Sequence, residues 1–142
     1  MNSKKIALNL IKKHEGLELF PYKCTAGFLT IGYGHNLEVK GITEEQAELI
    51  LADDIDDVIN ALEMHDWFNE LDGVRQAVIV DMAFNLGVAG LFKFKNMIAA
   101  IKKENYDQAA NEMFHSKWAK QVANRAVTLA QIMKTGELET LK

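Results

Sequence analysis

Residues 74–86 of this 142-residue chain are apolar on nearly every side, and this segment constrains the fold more than any other. Its apolar members are Val74, Ala77, Val78, Ile79, Val80, Met82, Ala83, Phe84 and Leu86. A helix that is apolar all round has to be covered by other elements. The segment therefore predicts the buried central helix of a mainly helical body, ended by Gly87 and Gly90.

Amphipathic patterns elsewhere in the chain predict the helices that would cover this segment. Ser3 is the predicted N-cap of a short first helix that runs to about residue 14. Thr43 and Gln46 form a capping box, which predicts a long helix over about 43–64 with acidic residues opposite its apolar stripe. Three further helices are predicted, at about 93–103, 106–115 and 120–134.

Residues 20–39 do not follow the helical pattern. β-branched and aromatic residues mix there with glycines, and Pro21 excludes a helix interior. We predict a small antiparallel hairpin with its turn near Cys24 to Gly27, on which Gly32 and Gly34 share one face and leave room for something to lie against it. The fold class is therefore α+β, and the length is that of one domain.

The charges are unevenly divided along the chain. Residues 1–71 hold 6 Lys or Arg and 13 Asp or Glu, whereas residues 72–142 hold 10 and 7. No Lys or Arg falls between Gly41 and Val74, so this stretch would repel phosphate backbones, and we predict no nucleic-acid partner. Two interpretations of the basic half stay open: solvated helix faces, or a basic wall facing a substrate that carries carboxylates.

Composition also excludes several kinds of site and location. No apolar run approaches the roughly 18 residues of a membrane span, and Asn9, Lys12 and Lys13 interrupt any signal-peptide core. We therefore expect a cytosolic protein without stable membrane association. The single cysteine cannot form an internal disulfide. No cluster of His, Cys and Asp has the spacing of metal ligands, so neither a metal nor a cofactor is predicted.

Glu15, Cys24 and Thr30 are separated by eight and by five residues. This spacing resembles that of the T-even type of phage lysozyme, glycoside hydrolase family 24, whose pattern is Glu, eight residues, Asp or sometimes Cys, five residues, Thr. The resemblance covers nearly the whole chain. It continues through Thr30-Ile31-Gly32-Tyr33-Gly34-His35, Asp72-Gly73-Val74-Arg75, Phe84-Asn85-Leu86-Gly87, Phe94-Lys95-Asn96 and the stretch from Trp118 to Ala126.

The resemblance implies a lysozyme-like fold that cleaves the β-1,4 bond between N-acetylmuramic acid and N-acetylglucosamine in peptidoglycan. We expect a hairpin lobe at about 15–42, a linking helix at about 43–64, and a helical lobe formed by 1–14 and about 65–142, with the cleft between the lobes. The resemblance also implies a protein that accumulates in the host cytoplasm and reaches the wall after a phage partner has permeabilised the membrane. We expect it to be a monomer.

Glu15 would be the general acid, because a glycosidic oxygen is a poor leaving group unless it is protonated. A carboxyl group that is partly buried beside apolar residues stays protonated to higher pH, which suits this role. Cys24 departs from the commoner Asp, and three possibilities stay open. The thiolate acts as a nucleophile with net retention, the thiol helps Thr30 to hold a water, or the substrate's own 6-hydroxyl attacks, as in a lytic transglycosylase.

The resemblance implies further roles. His35 and Asp54 match an ion pair that ties the hairpin lobe to the long helix, and Asn85 matches a residue that bonds sugar N-acetyl groups. Arg125 matches an arginine near the catalytic glutamate, and Gly32 is a candidate substrate-binding residue on the glycine-lined strand face. Four aromatic residues are assigned to the core rather than to sugar platforms: Trp67, Phe84, Phe94 and Trp118.

Two classes without catalytic activity compete with this hypothesis. One is a peptidoglycan-binding protein that does not cleave its ligand, and the other is a helix-turn-helix module built around Gly87 to Gly90. The acidic stretch 41–74 and the absence of a clustered basic recognition helix argue against the second. The complete spacing of Glu15, Cys24 and Thr30 argues against the first, because a binding protein needs no acid at that position.

Overall fold

The first helix, α1 (Ser3–Glu15), begins one residue earlier than expected. Asn2 rather than Ser3 is the N-cap, and its side chain accepts a hydrogen bond from the Lys5 N–H at 3.2 Å. Gly16 ends the helix at a φ of 71°, with its N–H bonded to the Lys12 carbonyl. The structure, a computed structural model, describes residues 2–138.

Within the described residues, three antiparallel strands follow α1, in the order β1-β2-β3: β1 (Glu18–Lys23), β2 (Leu29–Gly32) and β3 (His35–Asn36). The predicted turn at Cys24 to Gly27 is confirmed, since the Gly27 N–H donates to the Cys24 carbonyl at 2.8 Å. The predicted antiparallel hairpin is formed by β1 and β2, and β3 is a third strand that the sequence did not predict. Gly34, at a φ of 72°, lies in the reversal after β2 and lets β3 pair there. The register of β1 on β2 is irregular between Glu18 and Tyr22, and β1 forms an edge of the sheet.

A short helix, α2 (Leu37–Lys40), leads into the long helix α3 (Glu44–Leu62). The capping box is confirmed in both directions. The Gln46 N–H donates to Thr43 Oγ1 at 3.1 Å, and the Thr43 N–H donates to Gln46 Oε1 at 2.9 Å. Two of the four unpaired N–H groups of the helix start are thereby satisfied, which explains why α3 begins here.

Seven helices follow α3 in the described part of the chain: α4 (Asp66–Asn69), α5 (Gly73–Leu86), α6 (Val88–Leu91), α7 (Lys95–Lys102), α8 (Tyr106–Phe114), α9 (Lys117–Val122) and α10 (Asn124–Thr135). α5 is the segment that was predicted to be central. Val78, Ile79 and Met82 on it are at most 1% exposed and belong to one apolar core with residues of α4 and α6 to α10. Phe84, by contrast, is 43% exposed, so its assignment to the core is wrong.

The single helix predicted over 120–134 is two helices in the structure. Ala123, at a φ of 31° and a ψ of −97°, ends α9 and begins α10. This backbone conformation is rare for a residue with a side chain. The interruption was not predicted because no Gly or Pro marks it in the sequence.

Arg75 forms hydrogen bonds with the C-terminal end of α10. Its Nε donates to the Met133 carbonyl at 2.7 Å, and its second terminal nitrogen donates to the Lys134 carbonyl at 3.1 Å. The guanidinium lies 3.7 Å from the ring centre of Tyr106 and bonds Asp72 at 3.1 Å. Carbonyls at a helix end lack partners within the helix, so Arg75 supplies what α10 itself cannot.

Glu104 has a left-handed backbone conformation that costs stability. It follows α7 at a φ of 56°, with the Glu104 N–H bonded to the Ile101 carbonyl and the Asn105 N–H to the Ala100 carbonyl, a motif that favours glycine. We expect Glu104→Gly to stabilise the protein by about 0.5–1 kcal/mol in urea denaturation, because it removes the left-handed strain. Lys103→Gly is the matched control. Lys103 has a φ of −94°, so glycine there should destabilise, and equal effects at both positions would contradict this explanation.

The described residues divide into two compact units, with the boundary between Ile50 and Leu51. The sheet lies in the first unit, and the apolar core lies in the second. A small antiparallel sheet together with a mainly helical body confirms the predicted α+β class. The predicted lobes (15–42, 43–64, and 1–14 with 65–142) stay a prediction.

Candidate active site

Glu15 is the last residue of α1, and its side chain lies against the turn between β2 and β3. A Cβ placed on Gly34 would be 2.8 Å from Glu15 Oε2 and 2.9 Å from Cδ. Gly34 lies in this turn and not on the strand face that the sequence predicted, and the room at this glycine is occupied by a carboxylate of the same chain. Glu15 is exposed, whereas the sequence suggested partial burial for a proton donor.

Cys24 is the first residue of the turn between β1 and β2, and backbone N–H groups surround its sulfur. The Phe28 N–H, and after it the Ala26 N–H, lower the pKa of the Cys24 thiol. Burial raises this pKa, and the Thr30 hydroxyl and the Gly27 N–H lower it further. The net pKa is below the ordinary value for a thiol, because hydrogen bonds to the sulfur favour the thiolate. Every residue except proline has a backbone N–H, so residue types do not reveal which of these groups surround the sulfur, and this environment was not predictable from the sequence.

Thr30 lies on the central strand and is 3% exposed. It pairs with Tyr22 on one side and with Asn36 on the other. Its hydroxyl donates to the Phe28 carbonyl at 2.8 Å and also lies within reach of the Cys24 sulfur. A hydroxyl has one proton, so it donates to the carbonyl or to the sulfur but not to both. Thr30 and Cys24 are therefore brought together as the sequence pattern suggested.

His35 begins β3, and its Nε2 lies 2.6 Å from the Gly41 carbonyl, which fixes Nε2 as a protonated donor. This bond ties β3 to the residue that ends α2. Asp54 lies on α3 in the second unit. The ion pair of His35 with Asp54 stays a prediction.

The two predicted substrate contacts of the second unit are held by neighbouring side chains. Asn85 lies in the last turn of α5, and its Oδ1 accepts from Trp118 Nε1 at 2.8 Å. Arg125 donates through Nε to Asp81 Oδ1 at 2.7 Å. The roles of Asn85, Arg125 and Gly32 in binding substrate stay predictions.

Part of the basic half of the chain surrounds a cavity of about 460 Å³ in the second unit. Its charged and titratable lining residues are Lys93, Lys95, Lys117, His115 and Glu112. Trp118 also lines it, and the indole N–H of this residue holds Asn85. All three lysines are exposed, so both interpretations of the basic half, solvated helix faces and a basic wall, stay open.

Neither a metal site nor a membrane-spanning helix is found in residues 2–138. No group of three or more His, Cys, Asp and Glu side chains within this range is placed to hold a metal ion. No helix in the same range is both long enough and apolar enough to cross a membrane.

Known proteins resemble this chain over most of its length. The profile of the phage lysozyme family matches residues 12–133, a range that includes Glu15, Cys24 and Thr30. A probable T4-type lysozyme of Dictyostelium discoideum is 27% identical over 94% of this chain and 96% of its own length. The endolysin of Acyrthosiphon pisum secondary endosymbiont phage 1 is 36% identical over 82% of this chain and 80% of its own. The endolysin of Bacillus phage B103 is 34% identical over 84% of this chain, which covers 46% of that protein.

Proposed function

The chain belongs to the phage lysozyme family, and we propose that it hydrolyses the β-1,4 bond between N-acetylmuramic acid and N-acetylglucosamine, with Glu15 as general acid. Family membership makes it a lysozyme, a glycosidase that degrades peptidoglycan. The assignment of the three catalytic residues rests on their placement in the first unit. There, the Glu15 carboxylate lies against the turn after β2, and Cys24 and Thr30 meet at the turn before it.

Glu15 acts in the first half of the proposed reaction. Its protonated carboxyl group donates to the glycosidic oxygen, so the sugar leaves as a neutral alcohol while positive charge develops at the anomeric carbon. The exposure of Glu15 leaves its oxygens accessible to a polysaccharide. Gly32 on β2 and Asn85 and Arg125 of the second unit are the proposed contacts to the sugar chain.

Cys24 and Thr30 act in the second half, on the opposite face of the sugar. We assign the chain to the variant of the family that has Cys in place of Asp. A thiolate is the form that is useful here, either as the base that holds and deprotonates water together with Thr30 or as a nucleophile that forms an S-glycosyl enzyme. The hydrogen bonds to the sulfur support both roles, because they raise the thiolate fraction.

The anomer released first separates these two roles, and it can be read by NMR during digestion of a defined glycan. An α-anomer from the β-linked substrate indicates inversion and a water held by Cys24 and Thr30, whereas a β-anomer indicates retention and a covalent intermediate on Cys24. A 1,6-anhydro end in place of either would contradict hydrolysis and make the protein a lytic transglycosylase.

We predict that Cys24 titrates below an ordinary thiol and that Thr30→Val moves its midpoint back up. The lone cysteine makes ultraviolet thiolate absorbance a direct measurement. Because folding lowers this pKa, the stability that the thiolate contributes is fully present above the ordinary thiol pKa. This contribution is lost as pH falls through the lowered value. Thr25→Val, in the same turn, is the control. A midpoint that moves equally in both variants would contradict the contribution of the Thr30 hydroxyl.

The setting of the reaction is proposed from the same family. The enzyme acts as a monomer on the wall, is made in the host cytoplasm, and depends on a separate phage protein that permeabilises the membrane. The cations around the cavity near Trp118 suit the carboxylates that peptidoglycan carries on its peptides. Lysis of host cells that make this protein without a membrane-permeabilising phage protein would contradict this dependence.

A further inference from the structure

We infer that Gly34 is a positioning residue for the Glu15 carboxylate: it has no side chain because the carboxylate occupies that space. This inference rests on the proposed function of Glu15. The contact is specific to this position. Among the positive-φ glycines of the first unit, a Cβ at Gly16, Gly27, Gly32 or Gly41 would meet nothing within 4 Å, whereas at Gly34 it would meet Glu15 Oε2 at 2.8 Å, Cδ at 2.9 Å and Cγ at 3.2 Å.

The end of α1 is tied to the same turn by a second contact. The Lys12 ammonium lies 5.4 Å from the ring centre of Tyr33, the residue between the two glycines. Lys12 and Glu15 are three positions apart on α1, so their side chains project from the same face of the helix. A cation over an aromatic face is attracted to it, and here the attraction holds the turn against the helix end that carries the acid. Lys12, Tyr33 and Gly34 together limit where the Glu15 carboxylate can lie.

The energetic consequence of a Cβ at Gly34 should appear in catalysis more than in stability. Its nearest neighbours would be the end of a flexible side chain, which can move aside at little cost to folding. A proton donor that is displaced by about 1 Å, however, no longer meets the glycosidic oxygen, and misplacement of this size costs roughly 10²-fold in rate. The backbone strain of an L-residue at positive φ is a separate cost, which any such glycine shares.

Gly34→Ala tests the inference, and Gly41→Ala is its matched control. Gly41 lies in the same unit at a φ of 59° with open space around its Cβ position, so an alanine there is also strained by a positive φ but does not touch Glu15. We expect Gly34→Ala to lower kcat on peptidoglycan by about 100-fold with KM nearly unchanged, and Gly41→Ala to keep wild-type kcat. Both should lose thermal stability, because both place a side chain at a positive φ. Equal kcat values for the two alanine variants would overturn the inference.

A double variant separates failure of this inference from failure of the proposed function. If Gly34 acts through the carboxylate, Gly34→Ala should cause no further loss in a Glu15→Gln background, whereas independent effects would multiply. Full activity of Glu15→Gln alone would refute the proposed function. A loss in Gly34→Ala together with full activity in Glu15→Gln would refute positioning through Glu15. An inactive Glu15→Gln with a fully active Gly34→Ala would refute the inference and leave the proposed function intact.

Lys12→Met tests the tie between helix and turn. It removes the ammonium but keeps an unbranched side chain, and we expect kcat to fall by about 2- to 5-fold, as for an exposed cation–π contact. Lys13→Met, one residue along the same exposed helix, is the control for loss of a charge. Equal effects of the two variants would exclude the Lys12–Tyr33 contact from the inference.

Discussion

Glu15→Gln should lower the rate of peptidoglycan cleavage by about 10³-fold while leaving the fold intact. An amide of nearly the same shape cannot donate a proton to the glycosidic oxygen, and general acid catalysis of this kind contributes roughly 10²–10⁴-fold. The measurement is the loss of turbidity of permeabilised Gram-negative cells, together with the release of reducing ends from purified peptidoglycan. Because the side chain is exposed, we expect the free energy of unfolding to change by less than about 0.5 kcal/mol.

The matched control for this variant is Glu18→Gln. Glu18 is an exposed glutamate at the start of β1, three residues beyond Glu15. Its neutralisation changes the net charge by the same amount, so it reports any general effect of charge on binding to the wall. Lysis by Glu15→Gln at the wild-type rate would refute the site, and equal losses in the two variants would indicate an effect of charge instead of proton donation.

The largest effect on stability should follow from Arg75→Met, about 2–4 kcal/mol in urea denaturation. The variant removes two charge-assisted hydrogen bonds to the last carbonyls of α10 and the contact with the Tyr106 ring. The Arg75 side chain is only 15% exposed and its hydrogen bond to the Met133 carbonyl is partly buried, so water is poorly placed to replace it there. The polar groups left behind make the loss larger than that of a surface ion pair.

Arg125→Met is the comparison that makes this prediction specific. Arg125 also forms an ion pair, with Asp81, but both side chains are about 40% exposed. Exposed pairs contribute less than about 1 kcal/mol, so this variant should unfold at nearly the wild-type urea concentration. Similar losses in the two variants would contradict the assignment of α10 stability to Arg75.

The fold was predictable from the sequence where a local pattern determines the structure. The capping box at Thr43 and Gln46 specifies its own hydrogen bonds. The apolar run over 74–86 was correctly assigned to the core for most of its length, but not at Phe84. The break at Ala123 was missed because tertiary structure imposes it on a residue with good helix propensity. The third strand was missed because β3 has only two residues.

The sequence predicted which side chains form the candidate site, but not the backbone geometry around them. The spacing of Glu15, Cys24 and Thr30 identified three residues, of which Cys24 and Thr30 are brought together at one turn. Two features depend on backbone geometry and were not predictable: the N–H groups around the Cys24 sulfur and the contact of the Glu15 carboxylate with Gly34. Both arise where the chain reverses, and reversals place backbone atoms in ways that residue types alone do not reveal.

The irregular edge strand β1 bears on how this protein avoids aggregation. Leu19 and Phe20 are 72% and 80% exposed on β1, which forms one edge of the sheet. An apolar edge of this kind invites a strand from another molecule to add to it. Pro21 follows directly and has no N–H to donate, and it falls within the stretch where the register is irregular. The exposed edge therefore offers an incoming strand an interrupted set of hydrogen bonds, which protects the sheet from edge-to-edge association at high concentration.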